Sequence, residues 1–234
     1  MPKVLLIPGL ACDAELFAAQ LAALGGGPGV VVSDAHARFA TIPAMAAALL
    51  AEHRGPLVAV GCSMGGMVAQ EMARQAPQRL RGLALLGTTA RADTPELVAL
   101  RTQAIGLFEQ GRMDEVLRAN VMFAFHPLHA KNAALVQAYL AMVARAGAAQ
   151  LVRQNRAVMA REDLRPHLPA IRCPALVAVG EADRLTPPEP AREIAAGLRR
   201  AQLEIVPGAG HMLPMEAPVR LNALLLGWLR RLGD

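Results

Sequence analysis

Leu57-Val58-Ala59-Val60-Gly61-Cys62-Ser63-Met64-Gly65-Gly66 is the stretch on which the reading of this chain turns. Four consecutive apolar residues, Leu57 to Val60, have the pattern of a strand buried on both faces, as in a parallel sheet. Gly61-Cys62-Ser63-Met64-Gly65 follows as a G-x-S-x-G pentapeptide, and Met67 to Arg74 reads as a helix. A serine between a strand and a helix sits on a sharp, strained turn. Its neighbours two positions away must then be small, and both are glycine. The serine also lies at a helix N-terminus, where free N–H groups and the helix dipole favour negative charge. The chain holds only two serines, Ser33 and Ser63, which makes a chance occurrence of this pattern rare. The alternative reading is a glycine-rich turn with no chemistry.

Working outward, the flanking sequence alternates strand and helix. Strands are expected at Val4–Ile7, Val30–Val32, Leu57–Val60, Arg81–Gly87, Ala175–Gly180 and Leu203–Val206. Helices are expected at 15–21, at 42–52 with Thr41 as N-cap and Pro43 in the first turn, at 67–74, at 189–198 and at 218–232. This β-α alternation implies parallel strands joined by right-handed crossovers, with helices on both faces. Ligands in such sheets sit at the carboxyl ends of the strands. Ser63 and the Pro8-Gly9-Leu10-Ala11 turn both lie at such ends.

The alternation stops after Thr89. Thr94-Pro95-Glu96 marks a helix start, and helices follow at 114–123, 132–146 and 149–160, with Gly147 as a break. No strand can be placed between about 91 and 165. The organisation expected is therefore a core of residues 1–90 and 171–234, with residues 91–170 inserted as a helical lid over the strand ends.

Bulk composition narrows the function class. The chain has 234 residues, 54% hydrophobic and 18% charged, which fits a single large globular domain with an insertion. No apolar run reaches the roughly eighteen residues of a membrane span, so no membrane partner is expected. Lys3 to Ile7 serves better as a first strand than as a signal peptide. Cys12, Cys62 and Cys173 are widely spaced and odd in number, which fits free thiols in a reducing compartment and a cytoplasmic location. Cys62 is expected to be a buried core thiol rather than a nucleophile. The net charge is +5, but aromatics are 3% and no basic run or binding motif occurs, so nucleic acid is not an expected partner.

A serine hydroxyl is a weak nucleophile near neutral pH and requires a base, itself oriented by a third group. Of six histidines, only His211 follows the last strand, in Pro207-Gly208-Ala209-Gly210-His211-Met212. Asp183, just past strand 175–180, is the preferred acid, with Glu181 and Asp93 as rivals. An oxyanion would need two N–H donors, and the backbones of Met64 and Leu10 are the candidates.

With these residues placed, the chain resembles the α/β-hydrolase superfamily. The resemblance is carried by Pro8-Gly9-Leu10, Gly61-Cys62-Ser63-Met64-Gly65-Gly66, Gly180-Glu181-Ala182-Asp183 and Gly210-His211, through segments 3–90 and 171–232. It is similar in particular to the small bacterial carboxylesterase, enol-lactonase and carrier-protein methyl-esterase branch. Two departures stand out. Pro8-Gly9 replaces a common His-Gly, and the chain opens on what would be the family's third strand. The resemblance implies an α/β-hydrolase fold of about six mostly parallel strands and a cofactor-independent serine hydrolase. In that mechanism Ser63 attacks a carboxylic ester, His211 acts as base and Asp183 orients it. Lactone, thioester or C–C bond hydrolysis by the same triad is the alternative, and a non-catalytic binding module a further one.

Substrate selection is expected from the lid. Phe108, Met122, Phe123, Phe125, Tyr139, Met142 and Met159 are the candidate pocket residues for a small-molecule ester. His126-Pro127-Leu128-His129 is not expected to hold a metal, since proline breaks the register and no further ligands accompany it. Arg145, Arg153, Arg156, Arg161 and Arg165 face only Glu162 and Asp163 along the sequence. They form a basic lid face that would suit an acidic carrier protein or simply solvent.

Overall fold

The computed structural model describes residues 2–232. Met1, Gly233 and Asp234, at the outer ends of the expected core segments, lie outside the described residues. The elements run β1 (Lys3–Ile7), α1 (Ala18–Ala23), β2 (Val30–Val32), α2 (Ala35–Arg38), α3 (Ile42–Glu52), β3 (Leu57–Cys62), α4 (Met64–Gln75) and β4 (Leu80–Leu86). They continue with α5 (Pro95–Glu109), α6 (Met113–Ala124), α7 (Ala133–Met159), β5 (Ala175–Gly180), α8 (Pro188–Gly197), β6 (Ala201–Val206), α9 (Leu213–Glu216) and α10 (Pro218–Arg230). The six strands expected from the sequence are present, and all are parallel rather than mostly so.

The sheet order is β2-β1-β3-β4-β5-β6. The chain first moves outward from β1 to β2, then returns to β3 on the other side of β1. This reversal opens a crevice at the carboxyl ends of β1 and β3. The β1 loop and Ser63 flank it.

Strand residues alternate between two apolar layers, as the period-2 pleat requires. Val4, Leu6, Val58, Val60, Ala84, Leu86 and Leu176 pack on the face covered by α1 and α10. Leu5, Ile7, Ala59, Leu83, Leu85 and Val177 pack on the face covered by α3, α4 and α8. α3 starts as its sequence dictates, with Thr41 Oγ1 accepting the Ala44 N–H at 3.2 Å and Pro43 in the first turn.

Helices α5, α6 and α7 connect β4 to β5 and contain no strand. Their apolar faces do not form a separate core. Phe108, Leu117, Phe125, Tyr139 and Met142 join the layer of α1 and α10, while Ala157 and Val158 join the opposite one. By length and composition alone α7 could cross a bilayer. Gly147, at φ 74° and ψ 168°, breaks it into two segments, each short of the ~20 residues that spanning needs.

Candidate active site

Ser63 is the single residue between β3 and α4. Its backbone adopts φ 53° and ψ −118°, a region that strains a residue bearing a Cβ by roughly 1–3 kcal/mol. The turn is over-determined by hydrogen bonds. The Ser63 N–H donates to Leu86 O at 2.8 Å, Gly66 and Met67 N–H donate to Ser63 O at 2.9 and 3.3 Å, and Thr88 Oγ1 donates to the same oxygen at 2.7 Å. The flanking glycines are required by close approach. A Cβ on Gly61 would stand 2.2 Å from Gly65 O, and one on Gly65 would stand 1.9 Å from Ile7 O.

The structure brings Ser63, His211 and Asp183 together. His211 Nε2 lies 2.9 Å from Ser63 Oγ, and His211 Nδ1 lies 2.8 Å from Asp183 Oδ2. The β5 loop shapes Asp183 into an acceptor site: Oδ1 accepts the Leu185 and Thr186 N–H groups at 2.9 and 2.8 Å, and Oδ2 accepts Thr186 Oγ1–H at 2.9 Å. With its oxygens occupied by donors, the carboxylate takes one orientation, which selects Nδ1–H on His211 and leaves Nε2 facing the serine.

Electrostatics follow from this packing. Burial opposes charge on both partners. On Asp183 the nearby imidazole and the hydrogen bonds from His211 and Thr186 outweigh burial and hold the carboxyl below its ordinary value. On His211, burial and the Arg101 charge act downward, but the Asp183 charge, its hydrogen bond and Glu216 prevail and hold the imidazole above 6.5. The two rival acids are engaged elsewhere. Asp93 is buried between Arg101, at 2.7 Å, and Arg161, at 2.9 Å. Glu181 is exposed and accepts the Gly208 N–H at 3.4 Å. Burial pushes the Cys62 thiol well above its ordinary value and Cys12 up to about 12, so both stay protonated near neutrality.

Leu10 and Met64 sit at the carboxyl ends of β1 and β3. Neither N–H reaches a protein acceptor among the described residues. The loop holding Leu10 is fixed by a residue that sequence reasoning missed. Ala11, itself at φ 56°, donates its N–H to Gln154 Oε1 at 2.7 Å. Gln154 Nε2 in turn donates to His36 O at 2.9 Å, and His36 Nε2 lies 2.7 Å from Cys12 O. Gln154 comes from α7, 143 positions from Ala11, and is fully buried. Nothing in the local sequence marked it, and the same holds for Thr186 and Glu216.

The seven lid residues divide. Phe108, Phe125, Tyr139 and Met142 are buried, with the Phe125 and Tyr139 rings edge to face at 5.3 Å and Tyr139 OH accepting from Asn120 Nδ2 at 3.2 Å. Met122 and Phe123 are 57% and 43% exposed. Met159 Sδ lies 3.9 Å from Thr102 Oγ1. The arginines expected to face only Glu162 and Asp163 have further partners. Arg145 pairs with Asp13 and Glu15, Arg156 with Glu109, Arg161 with Asp93, Arg165 with Asp163 and Glu193, and Arg153 donates to Ala37 O. Most of these partners come from elements remote in sequence, which a reading along one helix does not reach.

Comparison with known proteins agrees with this fold. The family model described as serine aminopeptidase, S33, matches residues 29–218. The structure of a thermophilic esterase from Thermogutta terrifontis superimposes with a TM-score of 0.89 at 29% identity, covering 100% of this chain and 91% of that one. A 2-hydroxy-6-oxononadienedioate/2-hydroxy-6-oxononatrienedioate hydrolase of Paraburkholderia xenovorans is 29% identical over 177 residues, 73% of this chain and 61% of its own length. A pimeloyl-[acyl-carrier protein] methyl ester esterase of Neisseria meningitidis is 28% identical over 177 residues, 73% of this chain and 67% of its own. The chain spans 61% to 64% of the length of the first curated relatives it matches. A parallel six-stranded sheet, a strained serine on the turn after its third strand, and a matching family model over most of the sequence place this chain in the α/β-hydrolase family, in the group described as serine aminopeptidase, S33.

Proposed function

We propose that the protein is a serine hydrolase that cleaves small-molecule carboxylic esters through an acyl-enzyme. The observation that carries this reading is the continuous hydrogen-bonded line from Asp183 Oδ2 through His211 to Ser63 Oγ, at 2.8 and 2.9 Å. Ser63 Oγ attacks the ester carbonyl carbon as its proton passes to His211 Nε2. The carbonyl oxygen becomes an oxyanion held by the N–H groups of Met64 and Leu10. Collapse of the tetrahedral intermediate breaks the C–O bond, and the imidazolium returns the proton to the leaving alcohol. Water, deprotonated by His211, then attacks the acyl-Ser63 carbonyl; the bond from the acyl carbon to Ser63 Oγ breaks, His211 returns the proton to Oγ, and the acid leaves. Asp183 stays ionised throughout and stabilises the imidazolium. The esterase likeness of the Thermogutta structure supports the choice of ester.

The test is hydrolysis of short-chain p-nitrophenyl esters by wild type and Ser63→Ala, with fluorophosphonate labelling alongside. Turnover and labelling by wild type, both lost in Ser63→Ala, are expected. Equal rates in the two proteins overturn the reading. Wild-type labelling without ester turnover moves the reaction to another acyl bond, for which a panel of lactones and thioesters is the next substrate set.

A further inference from the structure

The loop that carries His211 is held from an unexpected direction. His211 and Met212 both donate their N–H groups to Ala124 O, at 2.9 and 3.1 Å, so the loop hangs from the C-terminus of α6. Beside this contact lies the carboxylate of Glu216, whose side chain has no exposed surface. One oxygen, Oε1, accepts the Gly210 N–H at 3.0 Å. The other, Oε2, accepts the His126 N–H at 2.7 Å and lies 2.9 Å from His129 Nδ1. Its two oxygens thus bridge two segments that the sequence separates widely, the residue just before His211 and the α6–α7 connection. The approach is close enough that a Cβ on Gly210 would stand 2.5 Å from His126 N.

We propose that Glu216 is a positioning residue for the base. Its buried carboxylate clamps the His211 loop to the α6–α7 connection and so sets the place of the imidazole facing Ser63. The proposal rests on the serine-hydrolase reading above, because it assigns His211 the role of base. Every donor around Glu216 is an N–H, so an amide in its place would turn its NH2 toward a donor and lose at least one side of the clamp. A buried carboxylate also acts on the imidazole by charge. The groups that act electrostatically on His211 are Asp183 from the β5 loop, Glu216 from α9 and Arg101 from α5, with the neutral hydroxyls of Thr186 and Ser63 in contact. Removing one of the two anions leaves Asp183 against Arg101 and makes the protonated imidazole less favourable.

The experiment compares wild type, Glu216→Gln and Glu216→Asp on the intact chain. It measures the pH dependence of Ser63 labelling by a fluorophosphonate, and the His211 imidazole titration by NMR. In Glu216→Gln, the acid limb and the NMR midpoint are expected to move to lower pH by roughly half a unit to one unit. The pH-independent rate is expected to fall ~10- to 100-fold as the imidazole shifts from its line to Ser63. Glu216→Asp keeps the charge with a shorter reach. It is expected to hold the wild-type midpoint to within about 0.3 unit while losing rate. A purely structural residue would lower the melting temperature in both variants without moving the midpoint, and that result overturns the proposal. Failure of both variants to fold also overturns it, by assigning Glu216 to folding alone. If wild type is not labelled at Ser63, the hydrolase reading fails, whereas the NMR midpoint still reports whether Glu216 acts on His211.

Discussion

Gly87, at φ 50°, stands against the acid–base pair: a Cβ built on it would lie 3.1 Å from Asp183 Oδ2 and 3.5 Å from His211 Nδ1. The C-terminal end of β4 thus forms the back wall of the pair, while the next residue, Thr88, bonds the carbonyl of Ser63. Gly87→Ala is expected to add left-handed strain of about 1–2 kcal/mol and to displace the Asp183–His211 hydrogen bond. We expect a rate loss of about 100-fold or more. The check is the Ser63 labelling rate alongside a thermal melt; a labelling rate within twofold of wild type would count against the wall.

The pH profile has a defined sign. His211 must be neutral to take the serine proton, and the Asp183 carboxylate beside it holds its pKa above the ordinary histidine value against burial. Activity should therefore fall with acid along a limb whose midpoint lies above the ordinary histidine value, since protonation removes the base. Asp183→Asn removes the anion that favours imidazolium and the acceptor that orients Nδ1–H. The limb should move to lower pH and the rate should drop by on the order of 1000-fold or more. A kcat/KM profile flat from pH 8 to pH 5 would contradict a histidine base.

Asp93, the rival acid, makes a different prediction. Its side chain is buried between Arg101 and Arg161. Asp93→Ala leaves two guanidinium groups facing a vacated site, and breaking a buried pair in this way costs about 3–5 kcal/mol. The melting temperature should fall steeply. In a preparation still folded at low temperature, the His211 line to Ser63 persists and labelling should continue. Complete loss of labelling in folded Asp93→Ala would restore it as a candidate for the acid.

Gln154 links α7 to the loop that carries the Leu10 N–H. Gln154→Leu orphans the buried Ala11 N–H and His36 O, at about 1–3 kcal/mol for each group. The loop loses the acceptor that holds its left-handed residue, so kcat should fall more than KM rises. Steady-state kinetics on a single p-nitrophenyl ester separates the two, and a pure KM effect would assign Gln154 to substrate binding instead.

Much of the site was legible because its chemistry is encoded locally. A serine with glycines two positions away on either side, after four apolar residues, dictates a strained strand–helix turn. A histidine and an aspartate just past β6 and β5 then lie at the same sheet edge, since parallel strands all point the same way. Periodicity likewise gave six strands and a helical interruption. The strained backbone of Ser63, at φ 53°, is the physical outcome of that local pattern.

The tertiary structure alone decided what holds those groups in place. Gln154, Glu216, Ala124 and Thr186 reach the site through side-chain or carbonyl contacts that carry no mark in their neighbourhoods. Arg145, Arg156, Arg161 and Arg165 of the insertion pair with acids on the core and on neighbouring helices, partners that do not lie beside them in sequence. The reason is one of range. Turn chemistry and hydrophobic period act over a few residues and can be read in order. Hydrogen bonds and ion pairs between elements depend on which surfaces the packed sheet and its helices bring together, and only the completed fold specifies that.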